Sequence, residues 1–284
     1  MEILTKLTKT VFEEYVPAAK MPERNDSVYN RLKTQFQLSY DWLVENIIGA
    51  GFRDAFETGE EAQKMILHFV AVDAFVRKAR SLDLVLTATG FGIVSTESTA
   101  PASQQRVDSL LGQLWLEDIE TGFAIVAALL PLDGWADSPN ALRHVNSLLW
   151  NPKEVWPRVI LTPSAENWNI LRGRIEQAEN IVRQKAVGDD YWEYLIDAMR
   201  HGTVTPEDLW VAHAAERFTL DYVNRYEETK VYQPVNQHLL DDVTKVVEAN
   251  ADALSAYKES DLYAARHKER YENKREDPTF FFTT

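Results

Sequence analysis

The chain has 284 residues, with 45% apolar and 26% charged, a length and composition that suit one large core or two ordinary domains. It carries 44 acidic and 30 basic residues, a formal charge of −14, which repels nucleic acid at long range and leaves room for a basic partner. It has no cysteine, so disulfides, thiolate metal sites and cysteine nucleophiles are excluded.

Met1-Glu2-Ile3-Leu4-Thr5-Lys6 lacks the basic start and apolar run of a signal peptide. The apolar stretch from Phe123 to Leu132 is too short to span a bilayer. The expectation is a protein made in a cytoplasm, with no membrane partner. Residues 1–24 read as an extended N-terminal arm, with Phe12 and Tyr15 ahead of Pro17. Such an arm packs either on its own domain or across a neighbour.

A helical domain is expected over 25–150. Val28, Leu32, Phe36, Tyr40, Leu43 and Ile47 recur three or four apart, which predicts a helix over 26–48 capped by Asn25 or Asp26. Gly49-Ala50-Gly51 breaks it. A second helix runs from about Glu60 to Arg80, with Ile66, Phe69, Val70, Phe75 and Val76 as its core and His68 beside them. Residues 84–95 then read as a β-hairpin, because two β-prone runs flank Thr89-Gly90. A third helix begins near Pro101 to Ser103 and shows Val107, Leu110, Leu111, Leu114 and Trp115 on its apolar face. Glu117, Asp118 and Glu120 interrupt it; with no histidine or second acidic cluster tied to them, they read as a solvated face. A short helix over 141–150 ends at Trp150-Asn151-Pro152. Residues 155–161, with Trp156, read as an extended crossover.

Residues 151–277 form a second helical region. Thr162-Pro163 starts a helix carrying Trp168, Leu171, Ile175, Ala178 and Val182. Gly188 breaks it, a short helix follows over 191–200, and Thr205 with Asp208 is spaced for a capping box. The plan of residues 26–80, helix, glycine break, helix, recurs over 163–226; duplication and independent helical hairpins both explain it. Leu239, Val243, Val247 and Leu254 mark a later helical face. The last stretch, 278–284, is an apolar tail, and Phe280, Phe281 and Phe282 require cover from the body or from a neighbour.

The chemistry of sites is thin. Gly90-Phe91-Gly92 is no dinucleotide fingerprint, and no phosphate loop or Gly-x-Ser-x-Gly elbow occurs. None of the six histidines sits in a short metal pattern. No catalytic, cofactor-binding or metal residue is expected. The candidate protein-interface residues are Phe12, Tyr15, Phe91, Trp150, Trp156, Phe280, Phe281 and Phe282, aromatics near loops or ends.

The run from Leu84 to Ser95, then Ala100-Pro101-Ala102-Ser103 and Arg106-Val107, with Glu276-Asp277-Pro278-Thr279-Phe280-Phe281-Phe282 at the far end, resembles a poorly characterised family of tailed phages and prophages of Bacteroides-type bacteria. Its members lie among virion structural genes. Ala88 stands where the family pattern has proline. The resemblance implies a non-enzymatic head–tail connector or adaptor, forming a ring on the portal by self-association and by contact with portal or tail proteins. It carries over no catalytic residues. The alternatives are a capsid-associated or assembly protein of the same gene region, and a helical metal-dependent hydrolase. The expected fold class is mainly α: a bundle-like body with a small β-hairpin and extended terminal arms.

Overall fold

The computed structural model describes residues 3–19, 28–82, 84–87, 90–93, 103–231 and 234–268; of 82, 84–87 and 90–93 it describes the backbone only. The expected caps Asn25 and Asp26, the turn at Thr89, and the tail with Phe280, Phe281 and Phe282 lie outside the described residues.

Thirteen α-helices carry the described fold. Those that position the surfaces discussed below are α1 (Lys9–Tyr15), α2 (Val28–Leu43), α3 (Arg53–Phe56), α4 (Glu60–Leu82), α5 (Gln104–Leu129), α6 (Pro139–His144) and α7 (Pro152–Val155) in the first half. The second half has α8 (Ala165–Val182), α9 (Asp189–His201), α10 (Pro206–Thr229), α11 (Gln237–Ala249), α12 (Ser255–Lys258) and α13 (Asp261–Arg266).

The expected fold class is corrected in two places. The N-terminal residues are no extended arm. Ile3–Lys6 is a 3-10 helix, α1 follows with Thr8 capping it, and Ile3, Leu7, Phe12 and Val16 are buried. Apolar side chains at four- and five-residue spacing win cover by coiling onto α4, where an extended segment would leave half of them wet. Nor does any β layer take part in the body. Leu84–Thr87 and Gly90–Ile93 pair only with each other, antiparallel, with Leu86 opposite Phe91. The body is helical, and the hairpin stretch does not organise it; α4, packed between α2 and α5, does. The crossover is also helical, since Pro152 opens α7 behind an Asn151 cap and Trp156–Arg158 forms a 3-10 turn.

Two units share one plan. In the first, α2 runs into a π-turn, Val44–Ile48, closed by Gly49. In the second, α8 runs into a π-turn, Arg183–Val187, closed by Gly188. Each glycine has φ +86°, and each donates its N–H back five residues, at 2.7 and 2.8 Å. Leu32, Phe36, Ser39, Tyr40, Leu43, Ile47 and Ile48 are buried before Gly49. Leu171, Ile175, Ala178, Glu179, Val182, Ala186 and Val187 stand at the same positions before Gly188 and are buried too. The turn carbonyls are satisfied by side chains arriving later in each unit. Trp135 Nε1 donates to Ile48 O at 2.8 Å and Asn140 Nδ2 to Glu45 O at 3.1 Å. Arg266 donates to Ala186 O at 2.9 Å and Lys185 O at 2.8 Å.

Each first helix is also covered by the segment before it. Phe12 packs on Tyr29, ring centroids 6.0 Å apart; Trp156 packs on Trp168, the position equivalent to Tyr29, at 5.6 Å. The repeated register supports a duplicated unit over independent hairpins.

The first apolar cluster extends from Ile3 to Val145 and the second from Leu148 to Tyr257. Asn146 between them is exposed. A third cluster, with Trp156, Trp168, Leu171 and Val223, receives Leu116, Ile119 and Phe123 of α5 and so joins the units. Among the described residues, no helix is long and apolar enough to cross a membrane.

Candidate interaction surface

The face made by α2, α4 and α5 carries three exposed large apolar side chains. Gln35, Leu38 and Trp42 lie three and four apart and therefore share a stripe of α2. Leu38 is 55% exposed and Trp42 40%. Trp115 of α5 is 55% exposed. Between them stands Arg77 of α4. Its Nε donates to both carboxylate oxygens of Asp73, one turn earlier, at 2.6 and 2.7 Å. Its Cζ lies 5.7 Å from the Trp42 ring centre, a cation–π contact. The Trp42 ring also lies nearly parallel to that of Phe69, with centroids 6.0 Å apart. Trp42 is thus braced by two side chains of α4 and stays 40% exposed.

Arg77 and Trp115 line a groove of about 660 Å³ together with Gln35, Arg80, Leu111 and others of α4 and α5. Nearby, Asp118 is largely buried, and its Oδ1 has no hydrogen-bond partner among the described residues. Burial first, and then the neighbouring Asp73 carboxylate, push the Asp118 carboxyl up to about 8, against the pull of Arg77. Asp118 therefore carries its proton at neutral pH, and Arg77 is left to balance Asp73. The described residues hold no group of three or more acidic or histidine side chains placed for a metal ion. Rigid aromatics beside a fixed guanidinium suit contact with another macromolecule.

A second, polar cleft of about 410 Å³ lies where α8 meets the residues after α6. His144, Ser147, Trp150, Arg172 and Arg183 line it. Glu179 accepts from Ser147 Oγ at 2.8 Å and from Leu148 N at 2.9 Å. Burial pushes its carboxyl up to about 7, while those hydrogen bonds pull it down. His144 Nε2 lies 2.9 Å from Asn46 O, which places a proton on that nitrogen; burial holds its pKa low. These contacts fix the linker to both units.

The expected interface aromatics separate. Phe12 is fully buried in the first cluster. Tyr15 is half-buried, stacked on His68 at 4.7 Å. Phe91 pairs with Leu86 through the backbone. Trp150 is half-buried and meets Phe123 at 6.1 Å. Trp156 is 9% exposed, covered by Trp168. Phe280, Phe281 and Phe282 lie outside the described residues. Trp150 and Trp156 thus join parts of one chain.

Sequence reasoning missed Leu38, Trp42 and Arg77, and placed Trp115 on the buried face. The signal was present: Trp42 sits one residue before buried Leu43, and Trp115 one after buried Leu114, each about 100° off its core stripe. The acidic run was likewise misjudged. Glu117 meets His68 at 2.7 Å and Asp118 meets the field of Asp73, pairings that only the α4–α5 contact creates.

Comparison with curated proteins and with solved structures finds no match. Residues 18–122, just over a third of the chain, match a family of unknown function, DUF6712, and that stretch contains Leu38, Trp42, Arg77 and Trp115.

Proposed function

We propose that this protein is a non-enzymatic assembly component that binds partner proteins through the α2/α4/α5 face. The observation that supports this is the placement of Trp42 and Trp115, both at least 40% exposed, on either hand of an Arg77 held by buried Asp73, with exposed Leu38 one turn from Trp42 on α2. Exposed aromatics next to a fixed arginine are the side chains that dominate interface energies when covered. The resemblance of the 84–107 and 276–282 stretches to phage virion proteins suggests the setting: the head–tail region of a tailed phage, as a connector or adaptor on the portal. The family matching 18–122 has no known function and adds no activity to this reading.

The test is particle incorporation. Trp115→Ala, with an unchanged circular dichroism spectrum, is expected to reduce occupancy at the neck at least tenfold. Density for the wild-type chain on the capsid shell would move the role to a capsid-associated protein. Absence of the wild-type chain from mature particles would overturn the proposal.

A further inference from the structure

The groove between α4 and α5 has a chemistry that specifies its occupant. Trp115 supplies an exposed aromatic anchor. Arg77, Lys78 and Arg80 supply three cations within one turn of α4, in a chain whose formal charge is −14. Lys78 has no ion-pair partner among the described residues. Arg80 meets Asp108 at 3.2 Å, with both side chains well exposed, so solvent screens that pair and a new carboxylate competes easily. Arg77 uses Nε on Asp73, and neither of its Nη groups has a described hydrogen-bond partner. A fitting occupant carries adjacent carboxylates followed closely by aromatic rings.

Glu276-Asp277-Pro278-Thr279-Phe280-Phe281-Phe282 of this chain has that order. We infer that segment 276–282 of a second copy docks in the α4/α5 groove, its phenylalanines against Trp115 and its two carboxylates against Arg77, Lys78 and Arg80. This rests on the reading of the face as an assembly surface, and names the partner.

The second copy is distinguished from the same chain by oligomeric state, since reach admits both. Arg266 ties α13 to Lys185 and Ala186, at the far end of the second unit's first helix. The start of that helix, at Trp168, is what meets α5 at Phe123, and Ala186 lies about 27 Å further along its axis. Trp115 lies two turns beyond Phe123 along α5. The residues from 266 to 280 span at most about 50 Å when fully extended. Those two stretches sum to about 39 Å, within that reach, so the commitment to a second copy rests on the reading of this face as an assembly surface, and self-docking is the outcome that a strictly monomeric wild type would reveal. A contact of this kind is heterologous and closes rings or extends head to tail.

Sedimentation velocity on the full chain tests it. The wild type is expected to self-associate with rising concentration. Trp115→Ala, and separately the triple change Phe280→Ser, Phe281→Ser and Phe282→Ser, should each weaken the association constant at least tenfold. Mixing the two variants should restore a heterodimer, since one brings an intact segment and the other an intact groove. The pair Glu276→Lys and Asp277→Lys, far from any described core residue in the sequence, should weaken association in a way that high salt masks. A wild type that stays monomeric, or mixed variants that fail to associate, would overturn the inference. Self-association untouched by Trp115→Ala, alongside lost particle incorporation, would overturn it too, while leaving the assembly face with a different virion partner.

Discussion

Glu179 and Asp118 are acids that the fold keeps from ionising freely. Burial is the first cause at both, raising Glu179 from 4.5 to about 7 and Asp118 from 3.8 to about 8. A carboxyl whose folded pKa lies above its unfolded value contributes stability that is complete below the unfolded value and is lost as pH rises through the folded one. Stability should therefore fall between roughly pH 4.5 and 8, opposite to the usual acid-denaturation slope. Glu179→Gln keeps an acceptor for Ser147 and Leu148 and cannot ionise. Asp118→Asn removes the repulsion toward Asp73. Urea midpoints at pH 5 and pH 9 should fall less for each variant than for wild type. An equal fall would mean that these carboxyls ionise in the fold without cost. Neither pairing was legible in the sequence: Glu179 faces Ser147 and Asp118 faces Asp73 only because distant helices meet.

The helices themselves were largely legible. The three-four spacing from Val28 to Ile47 found α2, and Thr205 with Asp208 does form the reciprocal capping box. The start of α8 shifted by a turn chemistry detail: Ser164, not Thr162, accepts from Asn167 N, and the helix begins at Ala165. The π-turns were not legible. Apolar residues continue through them at near-helical spacing, and the extra residue shows only in the backbone, where Gly49 and Gly188 take φ +86°. At Gly188 an added Cβ would meet Leu262 Cβ at 3.0 Å, and its ψ of 158° places it in a region that only glycine enters readily. Gly188→Ala should lower stability by about 1–3 kcal/mol. Gly173, mid-α8, has open space around its Cα, so Gly173→Ala should be neutral or gain up to about 1 kcal/mol from helix propensity. Denaturant midpoints of the two variants, measured side by side, check the ordering.

At the scale of the molecule, hydrophobic patterning alone suggested helices in two regions but not how each region protects itself. Residues 1–24 and 155–161 looked extended because prolines punctuate or precede them, at Pro17, Pro152 and Pro157. Proline at the first turn of a helix costs nothing, and that is where Pro152 sits. Both segments became covers, Phe12 over Tyr29 and Trp156 over Trp168, so each unit carries its own lid of aromatic packing. The first core closes at Val145 and the second opens at Leu148, with exposed Asn146 between. The chain is therefore divisible at one peptide bond. Two separately expressed polypeptides, 1–146 and 147–284, each keep a whole core and its cover, and between them they keep both sides of the Phe123–Trp168 contact. Mixed in solution they should complement one another into a 1:1 particle with the helical content of the intact chain, as read by light scattering and circular dichroism. Failure of the fragments to combine would show that continuity of the backbone, beyond side-chain packing, holds the halves in place.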